Sequence, residues 1–163
     1  MIVGEIERCY ESEYARLVGV VAVVTGSIAL AEEAVQEAFA RALDRTRRGH
    51  TFDHLPAWIV TVALNEARTG RRRRATERVV VDRMSADRAP APGVDASEAL
   101  TLRHAIEGLP RRQQGAVVLY YLLDLDVAST ARVLGVADGT VKTALHRARQ
   151  RLTTVLIERE MEA

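Results

Sequence analysis

VASTARVLGVADGTVKTALHRARQRL, from Val127 to Leu152, is the stretch that decides the fold class. It reads as two short helices around a glycine turn, the second carrying Lys142, His146, Arg147, Arg149 and Arg151. Ala131, Gly135 and Val141 stand where a helix-turn-helix needs a small residue at the helix crossing, a glycine free to take positive φ, and an apolar anchor. Val141, Leu145, Ala148 and Leu152 recur at helical spacing and are expected in the core. That turns Lys142, Thr143, His146 and Arg147 outward as candidate base and phosphate readers, in a shape that a DNA major groove accepts. Asp138 and Thr140 are both expected to be able to cap the second helix. A helical hairpin with a solvated basic face would carry the same residues, so the motif is shared by many unrelated proteins.

Working outward, the 163-residue, 18.0 kDa chain is 48% hydrophobic and 28% charged, a normal balance for a globular protein. Aromatic residues make up only 4%, so its cores must be built from Ala, Val and Leu, the palette of helical bundles. The expected class is all-α. Glu5 to Val24, Ala29 to Arg48 and Pro56 to Arg74 each suggest a helix, with Pro56 suited to a first turn. Ser97 to Gly108 and Arg111 to Leu123 suggest two more before the helix-turn-helix pair. Between Ser85 and Ser97 the sequence SADRAPAPGVDAS loses helical periodicity and holds Pro90, Pro92 and Gly93, which marks a flexible linker. The expected organisation is therefore two small helical domains, residues 1–84 and 98–163, joined by the linker 85–97.

The net charge of +1 conceals strong local asymmetry. Arg71, Arg72, Arg73 and Arg74 form one basic block, whereas Glu5, Glu7, Glu11 and Glu13, then Glu32, Glu33 and Glu37, form acidic ones. Local field, not net charge, steers a polyanion, so two unlike partners are accommodated. Cys9 is the single cysteine, which excludes an internal disulfide and a cysteine-built zinc site and fits a reducing compartment. The acidic amino terminus and the short apolar run Leu17 to Val24 lead us to expect neither signal peptide nor membrane anchor, and hence a cytoplasmic protein. Of the four histidines, His50 and His54 alone have a spacing that could share a helical face, but no third ligand lies nearby in sequence. No metal or cofactor is expected. Nor does a nucleophile motif, a phosphate loop or a catalytic carboxylate pair stand out, so the chain does not read as an enzyme.

The segment PAWIVTVALNEARTGRRRR, Pro56 to Arg74, supplies a second basic element, with Trp58, Ile59, Val62 and Ala63 on an expected apolar stripe. Together with AEEAVQEAFARAL (Ala31 to Leu43), LPRRQQGAVVLYYLLDLD (Leu109 to Asp126) and LGVADGTVKTALHRARQRL (Leu134 to Leu152), it resembles the extracytoplasmic-function (ECF) class of bacterial RNA polymerase sigma factors. The likeness runs over nearly the whole chain, and the order and spacing of the pieces make it specific. That class keeps sigma domains two and four joined by a short linker.

The resemblance implies three sets of contacts. Glu33, Gln36, Glu37 and Arg41 match a helix that docks on the clamp coiled coil of core RNA polymerase, and the second domain would meet the flap. The loop Gly49 to Leu55, with Phe52, and the helix with Trp58, Asn65, Arg68, Arg71, Arg72 and Arg73 match the elements that hold the melted minus-ten strand. Thr140, Lys142, Thr143, His146 and Arg147 match the reader of the minus-thirty-five element. Promoter DNA and core polymerase are thus the implied partners, and many members of the class are also sequestered by an anti-sigma factor. Several positions depart from the pattern: Thr61 and Leu64 replace frequent arginines, Thr69 a frequent aspartate, Thr130 a usual aliphatic residue, and Ala144 a frequent basic residue. Those departures are expected to change promoter contacts. A conventional repressor or activator, with a helical dimerisation or sensing domain and a palindromic operator, is the alternative, followed by an interaction protein with degenerate DNA elements.

Overall fold

The computed structural model describes residues 3–77 and 96–162. Their regular structure is helical throughout: α1 (Val3–Thr25), α2 (Ile28–Arg47), α3 (Leu55–Glu77), α4 (Ala96–Glu107), α5 (Arg111–Val117), α6 (Val127–Leu134) and α7 (Asp138–Glu162). The chain divides into two compact units, Met1–Asp87 and Arg88–Ala163. Most of the expected linker lies outside the described residues; its last two, Ala96 and Ser97, already belong to α4.

In the first unit, α1, α2 and α3 pack against one another in all three pairings. Ala31, Ala34, Val35, Ala38, Phe39 and Ala42 are buried, a three-and-four spacing that aims one side of α2 at the core. Leu17, Val21 and Ala22 of α1 and Ile59, Val60 and Ala63 of α3 close the core without measurable exposure. On α3 the buried line is Ile59, Val60, Ala63, Leu64 and Ala67, whereas Trp58 and Val62 of the expected stripe are half-exposed. Among the described residues no helix is long and apolar enough to cross a membrane. Burial pushes the half-buried Cys9 thiol up to about 11, with the charges of Glu13 and Glu5 adding to it, so the group stays protonated at neutral pH.

Local chemistry fixes the joints of this bundle. Ser27 stands in extended backbone before α2, and its Oγ accepts from the Leu30 amide at 3.2 Å. At the far end Gly49 takes φ +90°, and the carbonyl of Arg45 accepts from the amides of both Arg48 (3.1 Å) and His50 (3.0 Å). His54 then opens α3: its Nδ1 accepts from the Ala57 amide at 3.2 Å. A histidine read for its spacing to His50 is in fact a helix cap.

The second unit is built around Leu109, Ala116, Val117, Ala131, Val141, Ala144, Leu145 and Ala148. The helix expected from Arg111 to Leu123 is α-helical only to Val117 and widens into a π turn over Val118–Leu122. In that turn the Leu123 amide donates to the Val118 carbonyl at 3.1 Å, which brings residues five apart into line. Val118 and Leu123 can then both be buried, as they are. Asp124 follows at φ +54° and ends the helix.

The helix-turn-helix forms as read. Asp126 Oδ1 accepts from the Ser129 amide at 2.7 Å and starts α6, and Gly135 at φ +68° ends it, with the Val136 amide reaching back to the Ala131 carbonyl at 3.0 Å. Gly115 lies at the crossing of α5 and α6, where a Cβ would come within 3.2 Å of Leu134 Cδ2. Two expectations are corrected. Asp138 and Thr140 are inside α7 rather than capping it, and the carbonyl of Ala137 accepts from the amides of Thr140 and Val141. Asp138 instead places a negative charge in the first turn, against the positive end of the helix dipole. Helix α7 also runs on past Leu152 to Glu162, because neither glycine nor proline follows to stop it.

Candidate nucleic-acid interface

On α7, Val141, Ala144, Leu145 and Ala148 face the core, and Lys142, Thr143, His146 and Arg147 are exposed, with Thr140 half-exposed at their amino-terminal side. The helix therefore presents a polar, cationic strip. Among the described residues no carboxylate pairs with Lys142 or Arg147, so their charge is open to a polyanion. Arg149 is different: its Nε donates to Tyr121 Oη at 2.6 Å, and its guanidinium lies 5.6 Å from the Tyr121 ring centre. Tyr121 holds that arginine to the flank of the strip.

A second surface runs along α3 and the loop before it. Phe52 and Trp58 meet with ring centres 4.7 Å apart and planes tilted by 56°. Asn65 and Arg68 are half-exposed further along the helix, on the side turned away from Ile59, Ala63 and Ala67. The Asn65 backbone carbonyl accepts from Thr69 Oγ1 at 3.0 Å, a bond in which its side-chain amide takes no part. The backbone of Arg71, Arg72 and Arg73 continues α3, while their side chains lie outside the described residues.

The third surface is the outer face of α2, where Glu33, Gln36, Glu37 and Arg41 are all exposed. Gln36 Nε2 donates to Tyr14 Oη at 3.0 Å. Arg41 bridges two helices: its Nε donates to Glu37 Oε1 at 3.1 Å, and a terminal nitrogen lies 2.6 Å from Glu66 Oε1 on α3. The hydrogen bond that Arg41 donates to Glu37 and the charge of Glu66 hold the Arg41 pKa above its ordinary value. Glu33, Glu37, Arg41 and Glu66, with Leu30, Ala34 and Thr69, line a groove of about 390 Å³ between α2 and α3. The bridge to Glu66, the seat of Gln36 on Tyr14 and the clasp of Arg149 by Tyr121 each join residues on different helices, and no spacing within one helix announces them.

Comparison with known proteins reads both units at once. Residues 9–77 match the family model for Sigma-70 region 2, and residues 99–152 match that for Sigma-70, region 4. The ECF RNA polymerase sigma factor EcfG of Rhodopseudomonas palustris is 31% identical over 135 residues, covering 82% of this chain and 75% of that protein. The chain belongs to the ECF class of sigma-70 factors. BldN of Streptomyces coelicolor, also an ECF sigma factor, is 35% identical over 80% of this chain, which spans about half (52%) of its length. SigM of Bacillus subtilis is 29% identical over 93% of both. In fold, the chain is similar to the sigma factor RpoE of Bartonella quintana, solved with the anti-sigma factor NepR, at a TM-score of 0.70, 23% identity and coverage of 93% of this chain and 96% of that one.

Three of this sigma factor's departures from the class pattern acquire a different meaning. Leu64 and Ala144, which stand where the class often carries basic residues, are 6% and 5% exposed and belong to the two cores. Thr130 is fully buried, and among the described residues its hydroxyl has no hydrogen-bond partner, so that departure bears on stability. Thr61 and Thr69 are the ones on accessible helix surface; each hydroxyl donates to the carbonyl four residues back, at 2.9 Å and 3.0 Å. Among the described residues no three His, Cys, Asp or Glu side chains gather where they could hold a metal ion.

Proposed function

We infer that this ECF sigma factor binds core RNA polymerase and directs promoter-specific initiation of transcription, by binding energy alone and without covalent chemistry. The observation that carries the inference is the match to regions 2 and 4 in that order, one on each compact unit. We assign residues 1–84 to sigma domain 2, 85–97 to the linker and 98–163 to sigma domain 4. Glu33, Gln36, Glu37 and Arg41 form the docking face for the clamp coiled coil; domain 4 meets the flap. Phe52, Trp58, Asn65, Arg68, Arg71, Arg72 and Arg73 hold the unpaired minus-ten strand, where Asn65 can both donate to and accept from a base edge. Thr140, Lys142, Thr143, His146 and Arg147 read the minus-thirty-five element in the major groove. Such work places the protein in the cytoplasm with the polymerase, and the anti-sigma factor seen with the similar RpoE makes a protein inhibitor a natural further partner.

The exposed, unpaired cations of α7 support the assignment of the upstream reader, and the acidic and amide groups of α2 suit a protein partner. Mapping transcript starts after induced expression tests the function. A new set of starts sharing two sequence blocks at fixed spacing is expected; repression from palindromic sites, with no new starts, would instead mark a conventional dimeric regulator.

A further inference from the structure

The last turn of α2 carries a cation that the assignments above do not use. Arg45 is exposed, and its guanidinium carbon lies 5.6 Å from the centre of the Trp58 ring. Two nearby arginines are neutralised, Arg41 by Glu37 and Glu66 and Arg48, just past the helix, by Asp44 at 3.1 Å, whereas Arg47 of the same turn is exposed and, unlike Arg45, has no aromatic ring beneath it among the described residues. Among the described residues no carboxylate pairs with Arg45. An arginine seated on an indole keeps its full charge and all its donors while losing side-chain freedom, the state in which it binds phosphate best.

The seat is fixed from both sides. The Arg45 carbonyl accepts from Arg48 and His50, which anchors the turn at Gly49 on Arg45 itself. The indole is fixed by Phe52 at 4.7 Å and by its place in the first turn of α3, where the Trp58 amide donates to the His54 carbonyl at 3.1 Å. With Phe52 and Arg45 both against its ring, Trp58 is already engaged by its own fold. It is thereby a poor open platform for a nucleobase and a good support for the cation.

We propose that Arg45 is a phosphate-binding residue for the unpaired promoter strand, with Trp58 as the positioning residue that presents its guanidinium beside the 49–54 loop. This rests on the reading of that loop and α3 as the single-strand interface. It adds a contact from α2, outside the basic block of α3, and gives Trp58 a task other than stacking on a base.

The test uses holoenzyme assembled from the full chain and core polymerase. The probe is a labelled non-template oligonucleotide from a promoter whose start has been mapped, against a scrambled strand of equal composition. One phosphate contact on a single strand contributes about 0.7 to the slope of log K against log salt. Arg45→Gln should bind the promoter strand several-fold more weakly and flatten that slope by about 0.7, whereas Arg45→Lys should keep the slope. Trp58 is the only tryptophan of this chain, so its emission, read on the free chain before core polymerase is added, reports whether the seat has changed in either variant. An unchanged slope in Arg45→Gln, with altered Trp58 emission, makes Arg45 a packing residue and overturns the proposal. Failure of the unsubstituted holoenzyme to prefer the promoter strand is a different result: it removes the single-strand interface itself, and the proposal with it.

Discussion

Replacing Thr130 by valine should make the second unit more stable. The side chain is fully buried in α6, its Oγ1 has no partner among the described residues, and the amide of the same residue is already satisfied by the Asp126 carbonyl at 3.0 Å. A buried hydroxyl without a hydrogen bond carries a desolvation penalty of about 1–3 kcal/mol, and a methyl of nearly the same shape removes it while keeping the packing. We expect a gain of about 1 kcal/mol, the lower end, because threonine and valine are otherwise alike in helix propensity and volume. In a unit of this size that corresponds to a rise of roughly 4–8 °C in the thermal midpoint. Thr130→Ala provides the control: it relieves the hydroxyl but also deletes a buried methyl, at about 0.8 kcal/mol, and should come out near neutral. Circular dichroism follows both units, whereas the fluorescence of Trp58 follows the first alone, so the transition that belongs to the second can be separated. A midpoint that stays put or falls in Thr130→Val would refute the reasoning.

The turn and the upstream reader make further predictions. Gly135→Ala meets no atom within 4 Å, so its cost is the left-handed backbone alone, about 1–2 kcal/mol, read as a lower midpoint of the second unit; Gly135→Asn should lose less. The Ser129 amide, then the Ser129 hydroxyl and the Arg132 charge, hold the Asp126 carboxyl below its ordinary pKa. A depressed folded pKa means stability that is present above the unfolded carboxylate range and is lost as pH falls through the folded value. Acid titration of the second unit should therefore be flatter in Asp126→Asn, which keeps a capping oxygen but does not titrate; parallel curves would contradict this. Arg147→Ala should relax preference at one upstream base pair by about 1–3 kcal/mol in binding competition while leaving assembly with core polymerase intact. If assembly falls equally, Arg147 has been given the wrong role.

The parts of the fold that were legible in the sequence are those fixed by neighbours along one helix or one turn. Gly135 announces its turn because only a residue tolerant of positive φ serves there, and Val141, Leu145 and Ala148 announce the buried side of α7 by period alone. The same holds for Val35 and Phe39 against Glu33, Gln36 and Glu37 on α2. What escaped depends on partners far along the chain. The π turn brings Val118 and Leu123 into line, both buried, and local propensity carries no sign of it. Leu64 and Ala144 stand where the class often carries basic residues, but each sits at an angle that this chain turns inward. The amino-terminal end of α7 was misjudged because Asp138 and Thr140 can both cap a helix, so composition does not say which residue comes first. Arg45 on Trp58 and Arg41 on Glu66 span two helices and become visible when those helices are packed.

Core RNA polymerase, the purified chain and a promoter fragment taken from a mapped start provide the most direct measurement: run-off transcription with and without the chain. The account predicts that the chain co-migrates with core polymerase and that a discrete transcript appears only when it is present. Tight, polymerase-independent binding of a symmetric dimer to the fragment, with no transcript above that of core polymerase alone, would contradict it.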